Sequence, residues 1–464
     1  NDIVLSITSG PSTALESWRH IQFGFYTNTG IAADTADPDN DGVSNILEYQ
    51  AGTSPLNASS LPTFAWNSLS SGNWTNAANW NLGAAPLSNS ATKLAFFAGQ
   101  TLGSTTINSS NNNVGGFLLN SLRLAGTTTA TASVNLTGGT LDFRSTASAE
   151  PMIQLDANPS TLTYNIANPI TLGSTVTIDA PGSGKVVFNG VVSGSGGVTR
   201  TGSAGTLIFA ANNNYQGTTT ISSGTLQIGN DGASGSLGSG PVVNQGVLRV
   251  DRSGSLTLAS SISGTGSLLL DNVALTDSLI LAADNTFSGG ITLTRGTLRV
   301  TRSLALGLGA KTVTATTGNG RLELDGTAGD ISLAGNIGIN ISGSQTNGSL
   351  RNLAGNNTIS GTIGAATGAG NPLVSSDGGS LTLAGTVRTV NSGGRTLVLG
   401  GSSTGANVVT GQMMDGTSVL SVQKTGAGTW SIAHSNNTYT GTTTLNAGKI
   451  CLLYTSDAAD EEDS

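Results

Sequence analysis

An all-β fold, a parallel β-helix with a small helical segment at its N-terminus, is predicted for this chain of 464 residues by three observations. The first is a phrase that recurs as YQGTTTISSGTLQI from Tyr215, FSGGITLTRGTLRV from Phe287 and YTGTTTLNAGKI from Tyr439. In each copy an aromatic is followed by Gly two residues on, a second Gly seven later, and an aliphatic (Leu226, Leu298, Ile450) eleven residues after the aromatic. Spacing held while the letters drift marks a repeat protein. The second is a shorter element, GTLQI at Gly224, that returns at Gly246, Gly266, Gly296 and Gly320, in steps of 22, 20, 30 and 24 residues. Such steps suit one coil of a β-solenoid and are too short for a propeller blade. The third is alternation: Leu226 and Ile228, Leu248 and Val250, Leu298 and Val300 share one strand face and are expected to point into the coil. Gln227, Arg249, Leu269, Arg299 and Glu323 then face outward.

Stacked coils place parallel strands about 4.8 Å apart, each coil's donors meeting the next coil's acceptors. Some 350 repeat residues would make about fifteen coils. Glycines are expected at corners, where positive φ costs nothing. The Asn runs at 111–113 and 212–214 suit turns, since Asn tolerates left-handed backbone and its amides can stack from coil to coil. Low-complexity disorder would explain the Gly, Ser, Thr and Asn content, but it does not require aliphatics in strict alternation.

The segments from Gly182 to Ile228, around Phe287, and from Val422 to Gly448 resemble the autotransporter-associated β-strand repeat, also called the passenger-associated transport repeat. The likeness is looser over 101–180 and 321–420. It implies a right-handed β-helical passenger region of a large bacterial surface or secreted protein, exported through the periplasm and delivered to the outer membrane. It also implies a C-terminal translocator or sorting segment outside this sequence. Adhesion, aggregation or biofilm formation is the expected role of such an extended scaffold, with a surface polysaccharide or another cell as the partner class.

Composition agrees with export. Charged residues are 9% of the chain, so solubility must come from hydroxyl and amide groups on the outer faces. The net charge of −8 sits at the ends: residues 1–60 hold seven acids and one base, the last fourteen hold five acids and no base, and the middle has 14 acids against 17 bases. No basic stripe argues for nucleic acid. The single cysteine, Cys451, excludes an intrachain disulfide. No run approaches the ~18 apolar residues of a spanning helix. Position 1 is Asn, with neither Met nor a signal-like segment, so any signal peptide is expected to have been removed or to lie outside this sequence. After Ile450 the repeat gives way to CLLYTSDAADEEDS, which resembles translated adapter sequence, and 451–464 is expected to be non-native.

The strongest chemical motif precedes the repeats. Residues Asp37 to Glu48 fit the twelve-residue calcium loop D-x-[DN]-x-[DN]-G-x5-E. Asp37, Asp39 and Asp41 supply hard oxygens, Gly42 the sharp turn, Val43 a carbonyl, Asn45 a water-mediated contact and Glu48 a bidentate carboxylate. A helix is expected from Ser44 to Gln50, stopping near Gly52, and another over 12–25. The ten or so residues between that first helix and Asp37 depart from an EF-hand, and the loop is more similar to thrombospondin type 3 or dockerin-like modules. Calcium there would be structural. The alternative is an acid-rich surface turn that holds no metal.

The expected organisation is a helix plus calcium-loop module over 1–51, a linker over 52–63, a Trp-rich cap over 64–100, β-helix repeats over 101–450 and the acidic tail over 451–464. Trp66, Trp74 and Trp80 suit a cap that shields the first coil, the other reading being sugar stacking on exposed indoles. Two further function classes remain open: a carbohydrate-binding surface protein, which needs an aromatic track, and a β-helical polysaccharide-degrading enzyme, which needs carboxylates converging with Arg or Lys in a groove. Asp251, Arg252 and Asp271 are expected to be close but read as a surface ion pair. The Gly401-Ser-Ser403-Thr-Gly405 pattern lacks a strand-to-helix context, and His434 is expected in a turn or on an outer face. No catalytic residue is assigned.

Overall fold

The structure, a computed structural model, describes residues 13–452 apart from 113–115, 129, 158, 160, 316–317, 344–347 and 369. Asn113, most of the acidic tail and the first twelve residues therefore lie outside the described residues. The chain forms two compact units, one comprising residues up to Leu207 with Asn214–Gly217, the other Ile208–Asn213 with the chain from Thr218 onward. Both are parallel β-solenoids. No described helix is long and apolar enough to cross a membrane.

The first unit opens with the two helices the sequence suggests. Helix α1 (Ala14–Phe23) starts at a capping box: Thr13 Oγ1 accepts from the Glu16 N–H at 3.1 Å, and the Thr13 N–H donates to the Glu16 carboxylate at 3.0 Å. Gly24 ends it in the left-handed region. Helix α2 (Asn45–Ala51) ends at Gly52 in the same way. Trp18 of α1 meets Tyr49 of α2 edge to face, centroids 5.5 Å apart.

Beyond α2 each coil of the first unit contributes up to three strands, one to each face. One face stacks Thr63–Trp66, Lys93–Phe96, Ser121–Leu124, Met152–Leu155, Val176–Asp179 and Val198–Thr201, all parallel. Its inward column reads Leu94, Leu122, Ile153, Ile178 and then Arg200. A second face carries an amide ladder: Asn135 Nδ2 donates to Asn108 Oδ1 at 2.8 Å and Asn165 Nδ2 to Asn135 Oδ1 at 2.9 Å. The coil-to-coil amide stacking expected of this composition is thus present on strands, and also at the corner of Asn111, whose Oδ1 accepts from Asn168 Nδ2 at 2.9 Å.

In the second unit nine described strands stack on one face, from Ser255–Leu258 to Thr443–Leu445. The aliphatics expected inside are inside: Leu226, Ile228, Leu248, Val250, Leu298 and Val300 are all fully buried. Two expectations change. The five short elements do not form one column. Leu226, Leu248 and Leu268 pair in succession, but Leu268 then pairs with Ile291, while Leu298 stacks on Leu279 and under Leu322 on another face. The 30-residue step therefore marks a change of face. Gln227 and Glu323, expected outside, are buried, the former because its amide turns back to the Gly229 carbonyl at 2.9 Å.

Glu323 is buried by arginines. The outward row Arg299, Glu323, Arg351 runs straight across three coils. One Glu323 oxygen accepts from Arg299 at 2.9 Å, the other from Arg351 at 3.1 Å and Arg321 at 3.4 Å, and Arg351 also reaches Asp377 at 2.6 Å. Removing the carboxylate leaves several guanidinium groups without their shared partner. Glu323→Ala is expected to cost about 3–5 kcal/mol in urea unfolding, and Arg299→Ala, at the more exposed end, less than 1 kcal/mol or so.

Three cations occupy inward positions. Arg200 is fully buried, donating to the carbonyls of Gly202 and Gly205, and Lys424 is fully buried against those of Thr425, Gly426 and Ala447. Lys311 donates to the carbonyls of Phe287 and Leu306 with the Phe287 ring 4.1 Å away. Corner carbonyls turned inward need donors, and a long cationic side chain supplies several at once. Burial lowers the Lys311 pKa from 10.5 to about 8. The folded chain thus releases this proton before the unfolded chain does, so stability rises with pH between about 8 and 10.5. Lys311→Met is expected to flatten that rise, as read from urea midpoints across the window.

Candidate metal centre

The acidic loop between α1 and α2 is folded around its own carboxylates. Asn40 and Gly42 take left-handed backbone, φ 57° and 90°, which turns the chain back on itself. Asp37 accepts the N–H of Gly42 at 2.8 Å and of Asp41 at 3.2 Å, and Asp41 accepts that of Val43 at 2.7 Å. One oxygen from each of Asp37, Asp39 and Asp41 lies within 4.8 Å of the others. Glu48 stands outside that group of three but faces its field, for the charges of Asp41, Asp39 and Asp37 all oppose its ionisation.

These carboxylates are left short of donors. Among the described residues, Asp39 Oδ2, Asp41 Oδ2 and both oxygens of Glu48 are buried without a hydrogen-bond partner. Glu48 itself is fully buried in the first turn of α2. Burial, then repulsion from the neighbouring acids, raises its pKa to about 8, and burial raises Asp41 to about 6. A buried carboxylate with neither donor nor countercharge is costly, and a divalent cation removes the cost at every oxygen together.

The other expected ligands are placed differently. Val43 is fully buried and packs with Leu61 and Ala91, so the segment read as a linker is pinned to the loop by an apolar contact. Asn45 spends its amide N–H groups on the carbonyls of Ile31, 2.8 Å, and Ala33, 2.7 Å, leaving only its buried Oδ1 unpartnered. Its first duty is to tie α2 to the entering chain. The sequence reading missed a second tie, Arg19 of α1 to Asp34, with Asn28 bonded to the same carboxylate at 2.9 Å. Only an acid and a base fifteen residues apart could have signalled it.

In the segment read as a cap, Trp66, Trp74 and Trp80 are buried, and Trp80 packs edge to face on both others, with centroids 5.3 Å from Trp66 and 5.8 Å from Trp74. Each indole N–H is spent on the protein, that of Trp74 on Ser109 Oγ at 2.8 Å. They offer no face to a sugar. Arg252 does not join Asp251 and Asp271. It is buried against the carbonyls of Gly235, 2.6 Å, and Ala233, while Arg249 bridges both acids at 2.9 Å. Ser403 donates to the Gly379 carbonyl and follows strand Arg395–Gly400, with no helix after it. His434 lies in the loop after strand Thr429–Ile432, its Nδ1 accepting the Asn436 N–H at 3.1 Å.

Fold and loop together define a class: a parallel β-solenoid preceded by a small helical module with an acidic loop. Comparison with known proteins adds the repeat type. Residues 198–228, 276–300 and 422–450 match the passenger-associated transport repeat. A segment of 54 residues is 56% identical to the adhesin BmaC autotransporter of Brucella suis biovar 1 (strain 1330). That segment is 12% of this chain and 2% of that relative's length. No solved structure matches the chain.

Proposed function

We propose that this chain is part of the passenger region of an autotransporter-like bacterial protein, secreted or held at the cell surface, where it is a non-enzymatic scaffold for adhesion, aggregation or biofilm formation. The observation that carries this reading is the coincidence of sequence repeat and structural repeat: the segments matching the passenger repeat lie in stacked coils, and the local relative is an adhesin. Parallel coils template one another without charge or disulfide, which suits a chain that must fold after export. Displaying the full chain on a non-adherent bacterium through a heterologous translocator is expected to increase sedimentation or attachment to surfaces. Display at equal density without either effect counts against the adhesive role. Hydrolysis of pectin, alginate or xylan by the purified chain would replace it with the enzymatic reading.

The acidic loop is assigned calcium as a structural ion. Asp37, Asp39 and Asp41 would hold it with Glu48, the Val43 carbonyl and, through water, Asn45, the set of hard oxygens that calcium prefers. The four unpartnered buried carboxylate oxygens support this over a metal-free surface turn. The ion would lock α2 against the loop and, through Val43, the loop against Leu61 and Ala91.

A further inference from the structure

In the second unit a cavity of about 500 Å³ opens where three successive coils turn the same corner. The strands before it stack in register, Leu281 on Val300 on Leu324. The loops that follow bring Asp284 from the first coil, Arg302, Ser303 and Leu304 from the second, and Asp330 from the third. We propose that this cavity binds one sugar unit of a neutral glycan.

The side chains are set for such a ligand. Arg302 is anchored by its Nε donating to the Ala282 carbonyl at 2.8 Å, and Asp330 by one oxygen accepting the Asn356 N–H at 2.8 Å. Ser303 Oγ accepts the Ser332 N–H at 3.0 Å, which fixes the loop between them. Elsewhere in this unit several arginines pair with acids on neighbouring coils, as Arg249 with Asp271, Arg299 with Glu323 and Arg351 with Asp377. Asp284, Arg302 and Asp330 make no such ion pair among the described residues, although they line one cavity.

That arrangement selects by charge and shape. Two carboxylates repel an anion, and the guanidinium between them in coil order weakens their hold on a cation. A polyol meets both signs, because each hydroxyl donates to a carboxylate and accepts from the guanidinium. Leu304, 42% exposed, gives the apolar face of a ring something to cover. The volume falls within the range of small-molecule sites. The arrangement uses no aromatic residue and does not depend on the acidic loop, so it goes beyond the scaffold reading.

The test uses the full chain and saturation-transfer NMR with maltotriose, cellotriose, mannotriose and chitotriose, with spermidine and trigalacturonate as charged controls. The expected result is millimolar binding of a neutral trisaccharide, weakened about tenfold or more by Arg302→Ala and by Asp284→Asn, as loss of a hydrogen bond to a charged group implies. Binding should persist in a chain whose loop acids Asp37, Asp39 and Glu48 are replaced by Ala, which separates this site from the calcium reading. The variants sit on exposed loops, and unchanged circular dichroism checks their folding. No binding by any of the four sugars, equal binding by wild type and variants, tighter binding of either charged control, or cleavage of the bound sugar would each overturn the proposal.

Discussion

Replacing Asp37, Asp39 and Glu48 together by Ala is expected to abolish the calcium heat that the proposed site predicts in titration calorimetry on the full chain. The reasoning starts from the buried, unpartnered oxygens of Asp39, Asp41 and Glu48. With three acids crowded within 4.8 Å and Glu48 pushed to about 8, the metal-free loop holds protons that the ion must displace. Calcium bound there at pH 7 would therefore release protons, and the measured heat should change with the ionisation enthalpy of the buffer. Calcium at a hundredfold excess over its dissociation constant should add about 2.7 kcal/mol to the stability of the first unit. The triple variant should show no such gain. Unaltered binding in that variant would return the loop to an acid-rich turn without metal.

The second large effect concerns a glycine ladder. Gly361, Gly385 and Gly411 lie at one corner of successive coils, and a Cβ on each would fall 1.7 Å from the Ile337 carbonyl oxygen, 2.0 Å from that of Gly361 and 1.9 Å from that of Gly385. The obstacle is backbone, which cannot step aside without lifting one coil off the next. Gly385→Ala is expected to cost about 3 kcal/mol or more. Amide exchange should quicken in the flanking strands Ile363–Ala365 and Val387–Thr389, whose pairing depends on that spacing. Gly338→Ala serves as the control, since its nearest neighbour is 3.8 Å away, and should change stability by no more than about 1 kcal/mol. Equal effects at the two positions would show that conformational entropy, and not coil contact, explains these glycines.

The ladder also refines a reading made from sequence. Gly224 and Gly296 do adopt positive φ, as expected of corners. Gly246 and Gly266 are needed for another reason, since a side chain there would strike the carbonyl of the coil before, 2.4 Å away in both cases. Sequence shows that glycine recurs. It does not show whether backbone angle or backbone proximity demands it.

The first acidic module divides the same way. The loop, the helix after it and the stop at Gly52 were legible, because ligand spacing and helix caps are local. The bond of Asn45 to the Ile31 and Ala33 carbonyls was not, since it spans the entering chain. The cavity of Asp284, Arg302 and Asp330 was invisible for a related reason. The short elements were aligned by similarity, which skipped the strand Ser278–Leu281 whose loop carries Asp284.

By itself the sequence determined the parallel β-solenoid, the inward aliphatics and the acidic loop, because alternation and fixed spacing constrain each coil in the same local way. Tertiary structure alone decided which elements share a face, which cations turn inward at Arg200, Lys311 and Lys424, and how Glu323 is buried by three arginines. Those outcomes depend on which residue of one coil sits above which residue of the next. That register is set by loop lengths and corner contacts summed along the stack, and no single repeat contains it.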